Sequence, residues 1–312
     1  MKTPNWFLER NIIAWLLLPV SWLYLLTSRA VFFYRSFWQK SAKRPVICIG
    51  NILAGGVGKT PIVREVARLF PSSAIVMQGY KGKKAGKVGS NDTAADVGDE
   101  AKMLAASGLP VFVGKDRLKS IKMVEKAGFS HIIMDDGFQN PTVKKDISIP
   151  VFDGKIGIGN GFILPAGPLR EPLSAIKRAD AVIIMANGES EVEIAAKRYK
   201  KPVFLAKSET HLPSSICHLP FIAFAGIGYP KKFFEKLPKR PVKTISFPDH
   251  YQYSDADLKK LFALAVKEKA ELITTEKDWI RLPPIAQKKI KFAKLETTIE
   301  PAFWKWLEGK IK

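Results

Sequence analysis

The sequence predicts an α/β protein: a parallel sheet flanked by helices, with an apolar helical segment ahead of it and a second, smaller α/β unit behind. Two observations carry this. From residue 45 onward short apolar runs alternate with amphipathic stretches, the pattern of a sheet covered by helices on both faces. Residues 1–44 have a different character, with an uncharged run from Asn11 to Ser28. At 312 residues the chain is long enough for two domains. The expected divisions are 1–44, 45–215 and 216–312.

The N-terminal run holds Ile12, Ile13, Trp15, Leu16, Leu17, Leu18, Val20, Trp22, Leu23, Leu25 and Leu26. Eighteen helical residues extend about 27 Å, marginal for a bilayer crossing, and Pro19 is expected to kink them midway. No small-x-small site follows, which argues against a cleaved signal peptide. Three fates stay open: an interfacial anchor with Trp6, Trp15, Trp22 and Trp38 at headgroup level, a spanning helix, and a helix packed on the protein's own core.

Charge narrows the partners. Fifty Lys and Arg against 29 Asp and Glu leave +21, an excess that points to an anionic partner: nucleic acid, an acidic membrane or a phosphorylated substrate. The chain shows no nucleic-acid recognition motif and no stacking platform, so nucleic acid is not expected. The cysteines are Cys48, inside the apolar run 46–49, and Cys217, so a disulfide framework is not expected.

The first apolar run, Pro45–Gly50, leads through Asn51-Ile52-Leu53-Ala54 into Gly55-Gly56-Val57-Gly58-Lys59-Thr60-Pro61, then into a helical pattern at Ile62, Val63, Val66, Ala67 and Leu69. Strand, glycine loop, Lys-Thr and helix in this order describe a phosphate-binding loop. Its backbone N–H groups converge on phosphate oxygens, Lys59 reaches the β- and γ-phosphates, and the Thr60 hydroxyl holds Mg²⁺. ATP and Mg²⁺ are therefore expected, on a P-loop NTPase-like sheet. Leu53 stands where the common pattern has its first glycine.

His131-Ile-Ile-Met-Asp135-Asp136-Gly137 reads as a strand ending in paired acids. In phosphate-loop folds a strand beside the loop strand ends in an acid that orients Mg²⁺, and a cation relieves the repulsion between neighbouring carboxylates. Asp99 and Glu100 open a helical pattern. From the residues alone a simple helix cap is the favoured reading of Asp99, and a general base the alternative. Asp249-His250 reads as a loop or cap.

Further strands are expected at 74–77, 111–113, 132–134, 147–152, 182–185 and 203–205, with helices at 116–127 and 189–199. In the second unit strands are expected at 221–225, 242–246 and 272–274, with a helix near 254–268. The Lys- and Gly-rich stretch 81–87 reads either as a loop mobile until ligand binds or as a solvated charge run.

Taken in order, Gly50-Asn51-Ile52, Gly55–Pro61, Gly79-Tyr80, Val97-Gly98-Asp99-Glu100, Asp135-Asp136-Gly137-Phe138-Gln139, Leu164-Pro165-Ala166-Gly167-Pro168-Leu169-Arg170-Glu171-Pro172, Asp249-His250 and Thr275-Glu276-Lys277-Asp278 resemble the tetraacyldisaccharide 4'-kinase (lipid A 4'-kinase) family. The Asp-Asp-Gly-Phe-Gln and Leu-Pro-Ala-Gly-Pro-Leu-Arg-Glu-Pro strings are the specific ones. The resemblance implies an enzyme that passes the ATP γ-phosphoryl group to the 4'-hydroxyl of a tetraacylated glucosamine disaccharide 1-phosphate. It also implies a monomer at the cytoplasmic face of the bacterial inner membrane, with that acylated lipid and the anionic membrane surface as partners. It makes Asp99 the base and His250 its partner, displacing the cap reading, with Lys59 and Asp136 serving the transfer. Thr60, Asp135 and Glu100 become metal contacts, and Arg117, Arg170, Glu171 and Gln139 substrate contacts. Two positions depart from the family pattern: Gln78-Gly79-Tyr80-Lys81 replaces Ser-Arg-Gly-Tyr-Gly-Arg, and Asn140 replaces a common His. A membrane-associated deviant P-loop ATPase acting as a switch is the alternative, but it calls for Lys where Ala54 stands.

Overall fold

The computed structural model describes residues 4–185 and 191–311. Its strands are β1 (Val46–Gly50), β2 (Ser73–Met77), β3 (Gly86–Lys87), β4 (Val111–Val113), β5 (His131–Asp135), β6 (Ile147–Asp153), β7 (Val182–Met185), β8 (Val203–His211), β9 (Phe221–Ala225), β10 (Lys243–Ser246), β11 (Glu271–Thr275) and β12 (Lys291–Ile299). They form one sheet in the order β10-β9-β11-β12-β8-β7-β6-β1-β5-β2-β4-β3. Pairing is parallel except at β12–β8 and β3–β4.

The apolar runs become strands because they are buried on both faces. Each residue of β1, β2 and β6 is buried, as continuous Val/Ile runs of parallel strands require. β1 lies between β5 and β6, so the strand carrying the paired acids borders the strand feeding the glycine loop. Asp135 sits in register with Ile49, one residue from the end of β1. This switch point is where α/β sheets place their ligands.

The sequence stops short at the C-terminus. No element is expected beyond Thr274, yet β12 pairs parallel with β11 at its start and antiparallel with β8 at its end. The helix Pro301–Ile311 then returns Phe303 and Leu307 to the core built on β1, β6 and β7. Ile222, Phe224, Leu258, Leu261 and Leu272 form a separate core beneath β9 and β11. The helix expected over 189–199 is seen as Glu191–Arg198, its first two positions lying outside the described residues.

At the N-terminus, helices Ile12–Leu16 and Leu18–Ser36 follow each other with Pro19 in the first turn of the second, so the proline starts a helix instead of kinking one. No helix among the described residues is long and apolar enough to cross a membrane. One side is stitched to the loop 160–168: Trp6 donates to the Pro165 carbonyl at 3.2 Å and Ser21 to the Ile163 carbonyl at 2.9 Å. The opposite side faces outward. Ile12, Leu16, Trp22 and Phe37 are 77%, 73%, 67% and 70% exposed, so the segment is not a core helix.

Candidate active site

The glycine loop closes onto the helix Lys59–Leu69, whose N-cap Gly58 is left-handed at φ 85°. Gly55 has φ 112°, a conformation that disfavours any side chain. Gly56 has no such strain, and a Cβ there meets nothing within 4 Å, so what it leaves open is space for a ligand to approach the backbone. Val57 is buried and pins the loop, while Thr60 is 8% exposed at the helix start. Pro61 sits in the first turn, where its missing N–H costs no hydrogen bond. The loop is braced from outside: Ala54 N–H donates to the Pro168 carbonyl at 2.7 Å and Arg170 N–H to the Ile52 carbonyl at 2.7 Å. The two sequence strings thus form one structure.

Lys59 Nζ lies 3.3 Å from Asp136, and Arg170 reaches both Asp136 oxygens at 3.2 Å. Partial enclosure pushes the Asp136 carboxyl up, but Lys59 and Arg170 outweigh it and hold the group below the usual carboxylate range. Asp136 itself adopts φ 50°, which turns the chain sharply off β5. Asp135 behaves oppositely. Burial, then the Glu100 charge, push it up to about 7 although Lys59 pulls it down, and its Oδ1 is buried with no hydrogen-bond partner.

That orphaned oxygen is what a cation would satisfy, so the residues present fit Mg²⁺. Glu100 and Lys59 both bear electrostatically on Asp135, with opposite sign. No group of three His, Cys, Asp or Glu side chains that could hold a metal occurs among the described residues. Mg²⁺ needs no such cage, because it binds through one or two carboxylates with phosphate oxygens completing the shell.

Asp99 is the first residue of the helix Asp99–Ala106, and the N-cap position is held by Gly98. The cap reading fails here. Asp99 Oδ2 instead meets His250 Nδ1 at 2.7 Å, across 151 positions of sequence. His250 stands at φ 58° in the loop after β10, and its N–H donates to the Gly226 carbonyl. A cavity of about 250 Å³ opens beside this pair, lined by Tyr80, Lys81, Lys83, Gly98 and Gln252 among others. Gly98 explains the close fit: at φ 90°, a Cβ would lie 2.6 Å from the Tyr80 carbonyl.

The remaining candidates divide. Arg117 is buried and donates to the carbonyls of Gly114 and Asp135, so it braces the end of β5 from behind. Gln139 donates to the Asn51 carbonyl at 2.7 Å, tying the acid string to the loop strand. Glu171 pairs with Arg178 at 2.7 Å. Gln139, Arg170 and Glu171 share a groove of about 430 Å³ with Leu25, Val31 and Phe32 of the N-terminal helix. Arg178 stacks over Phe32 and Phe138 there.

Several participants escaped the sequence. Lys277 pairs with Glu100 at 2.5 Å, Arg64 with Glu276 at 3.0 Å, and Arg281 reaches Asp99 at 2.7 Å. Lys277 and Glu276 fall inside a quoted motif, but nothing in their spacing names their partners. The stretch 81–87 is tied at Lys83 and Lys84, whose N–H groups donate to the Asp96 carbonyl, and at β3. Both cysteines are free thiols, and burial pushes Cys48 up to about 11, which makes it inert.

Comparisons with known proteins show the family. A family model described as tetraacyldisaccharide-1-P 4'-kinase matches residues 13–312. A tetraacyldisaccharide 4'-kinase of Phenylobacterium zucineum (strain HLK1) is 40% identical over 312 residues, covering 93% of each chain. One of Methylobacterium nodulans is 43% identical over 261 residues, covering 79% of this chain and 77% of its own. The "apo" form of LpxK from Aquifex aeolicus in complex with ATP superposes with a TM-score of 0.77 at 27% identity, covering 96% of this chain and 100% of that one. With a phosphate loop, paired acids and an Asp–His pair, and relatives of this likeness along nearly its whole length, the chain belongs to the tetraacyldisaccharide-1-P 4'-kinase family.

Proposed function

We infer that this protein transfers the γ-phosphoryl group of ATP to the 4'-hydroxyl of a tetraacylated glucosamine disaccharide 1-phosphate in lipid A biosynthesis. The observation that carries the reading is the meeting of two charge systems. Lys59 pairs with Asp136 at the loop, Asp99 pairs with His250, and Glu100, next to Asp99 in sequence, bears electrostatically on Asp135.

The roles follow from chemistry. A sugar hydroxyl is a weak nucleophile, so Asp99 accepts its proton as the O–P bond forms and the bond to ADP breaks. His250 orients the carboxylate. Lys59 leaves Asp136 for the β- and γ-phosphates, and Arg170 adds positive charge where negative charge spreads in transfer. Thr60, Asp135 and Glu100 would hold Mg²⁺, which supplies neutralisation of phosphate charge. Arg117, by fixing the Asp135 carbonyl, keeps that carboxyl in place.

The substrate reading extends to the groove shared by Gln139, Arg170, Glu171 and the N-terminal helix, where cationic and apolar side chains suit an acylated, phosphorylated sugar. A lipid with four acyl chains barely leaves its bilayer, so the enzyme has to reach the surface. The outward aromatic side of the N-terminal segment and the basic Lys2, Arg10, Arg29, Arg35, Lys40, Lys43 and Arg44 serve that end, at the cytoplasmic face of the inner membrane. The protein acts as a monomer, with 45–215 as the kinase core. The part of 216–312 that packs on its own core at β9 and β11 closes the cleft and excludes water, while β12 and the helix Pro301–Ile311 stay with the kinase core.

A labelled-ATP assay with the tetraacyl disaccharide 1-phosphate in detergent micelles tests this. Label is expected in lipid with the natural protein, not with Lys59→Ala, and only at a low residual rate with Asp99→Ala. Label found only as free phosphate would overturn the reading in favour of an ATPase switch.

A further inference from the structure

We propose that Arg281 is a positioning residue for the transfer, acting through Asp99, a proposal that rests on the kinase reading above. Asp99 Oδ2 meets three nitrogens: His250 Nδ1 at 2.7 Å, Arg281 Nε, which donates to it at 2.8 Å, and Arg281 Nη2, in ion-pair contact at 2.7 Å. Among the described residues no donor meets Oδ1. A carboxylate oxygen held by one imidazole can still shift as the side chain turns, whereas a planar guanidinium with two nitrogens on that same oxygen pins its position. Oδ2 is thereby saturated, and Oδ1 is the atom left to take a proton from an acceptor hydroxyl.

The arginine is itself held rigidly. Its side chain is 1% exposed, and Nη1 donates at 3.0 Å to both Asp278 Oδ1 and the Gly226 carbonyl. Asp278 is fully buried and also receives Tyr253 Oη at 2.9 Å, Gly226 N–H at 3.0 Å and Thr275 Oγ1 at 2.6 Å. The Gly226 carbonyl that accepts from Arg281 accepts from the His250 N–H as well, so one peptide group sets both partners of Asp99. Burying a guanidinium between two carboxylates is costly unless both ends are satisfied, and here they are. A residue serving only to join 216–312 to the rest would need one contact with the helix Asp99–Ala106. The convergence of two nitrogens on the oxygen that His250 also holds is the signature of orientation.

The test is a set of kinetic cycles on the full chain with the lipid acceptor and labelled ATP. Arg281→Gln and Arg281→Lys are made in the natural background and in Asp99→Ala. Loss of an oriented charge-assisted contact predicts a kcat lower by roughly 10- to 100-fold for Gln and less for Lys, with KM for ATP within about twofold of the natural protein. In the Asp99→Ala background both substitutions should cost nothing further. The same proportional loss in both backgrounds, or no loss in either, would overturn the proposal. If Arg281→Gln fails to fold by circular dichroism, Arg281→Lys decides alone: a lower kcat that vanishes without Asp99 supports the proposal, and an unchanged kcat ends it. Absence of lipid labelling by the natural protein would instead sink the kinase reading and leave the arginine's geometry untouched.

Discussion

Asp135→Asn is predicted to make the nucleotide-free protein more stable at alkaline pH while abolishing transfer. The Asp135 carboxyl is pushed from 3.8 to about 7 by burial and by Glu100. Its folded value lies above its unfolded one, so the native state binds more protons through that window. Stability from this group is therefore greatest in acid and falls as pH rises. The full gap corresponds to roughly 4 kcal/mol of unfavourable charge burial, about 3 kcal/mol of which accrues between pH 5 and pH 8. Asparagine removes that cost and leaves the Arg117 bond intact, because Arg117 donates to the backbone carbonyl and not to the carboxylate. Against this, a buried amide without a partner costs about 1–3 kcal/mol. The net expectation is near-neutral or destabilising at pH 5 and a clear gain at pH 8. Urea unfolding at the two pH values, without nucleotide or metal, measures it. A variant whose stability difference from the natural protein is the same at both would refute the reasoning.

Two further expectations follow from local geometry. Gly98→Ala places a methyl 2.6 Å from the Tyr80 carbonyl at a φ of 90° and should lower kcat about 100-fold by moving Asp99; Gly108→Ala, equally left-handed at φ 83° but with nothing within 4 Å, should cost about 1 kcal/mol in urea unfolding and leave kcat alone. Replacing Trp15, Trp22 and Phe37 together with Ser should abolish sedimentation with anionic vesicles, while the natural protein should sediment less as salt rises, since each basic residue near such a surface contributes about 1 kcal/mol.

How far the sequence could be read depended on whether a residue's partner lay nearby in the chain. β1, the glycine loop and the helix Lys59–Leu69 were legible because strand, turn and helix follow within 24 residues, Val46 to Leu69. The neighbouring place of β5 was legible from the fold that such a loop implies. Asp99 was legible only through the family resemblance, since by itself a helix-start acid looks the same whether it caps or reacts; its partner lies 151 positions away. Arg281 was invisible for the same reason, since its carboxylate partners are Asp278, three residues back, and Asp99, far off in the chain. β12 was missed because Lys291, Lys294, Glu296 and Thr298 are exposed along it, so its apolar signal is too thin to stand out. The N-terminal run announced its apolarity but not its side: only the bonds from Trp6 and Ser21 to the 160–168 loop show which face stays outward.

The central claim is that the phosphate grip of Gly58-Lys59-Thr60 and the carboxylate of Asp99 converge on one phosphorus atom. A crystal structure with Mg²⁺ and a non-hydrolysable ATP analogue measures it directly. The account predicts Lys59 moved from Asp136 onto the terminal phosphates, with room for a single hydroxyl between Asp99 Oδ1 and the γ-phosphorus. Nucleotide seated away from the loop, or Asp99 turned from the γ-phosphate with Oδ1 engaged elsewhere, would contradict it.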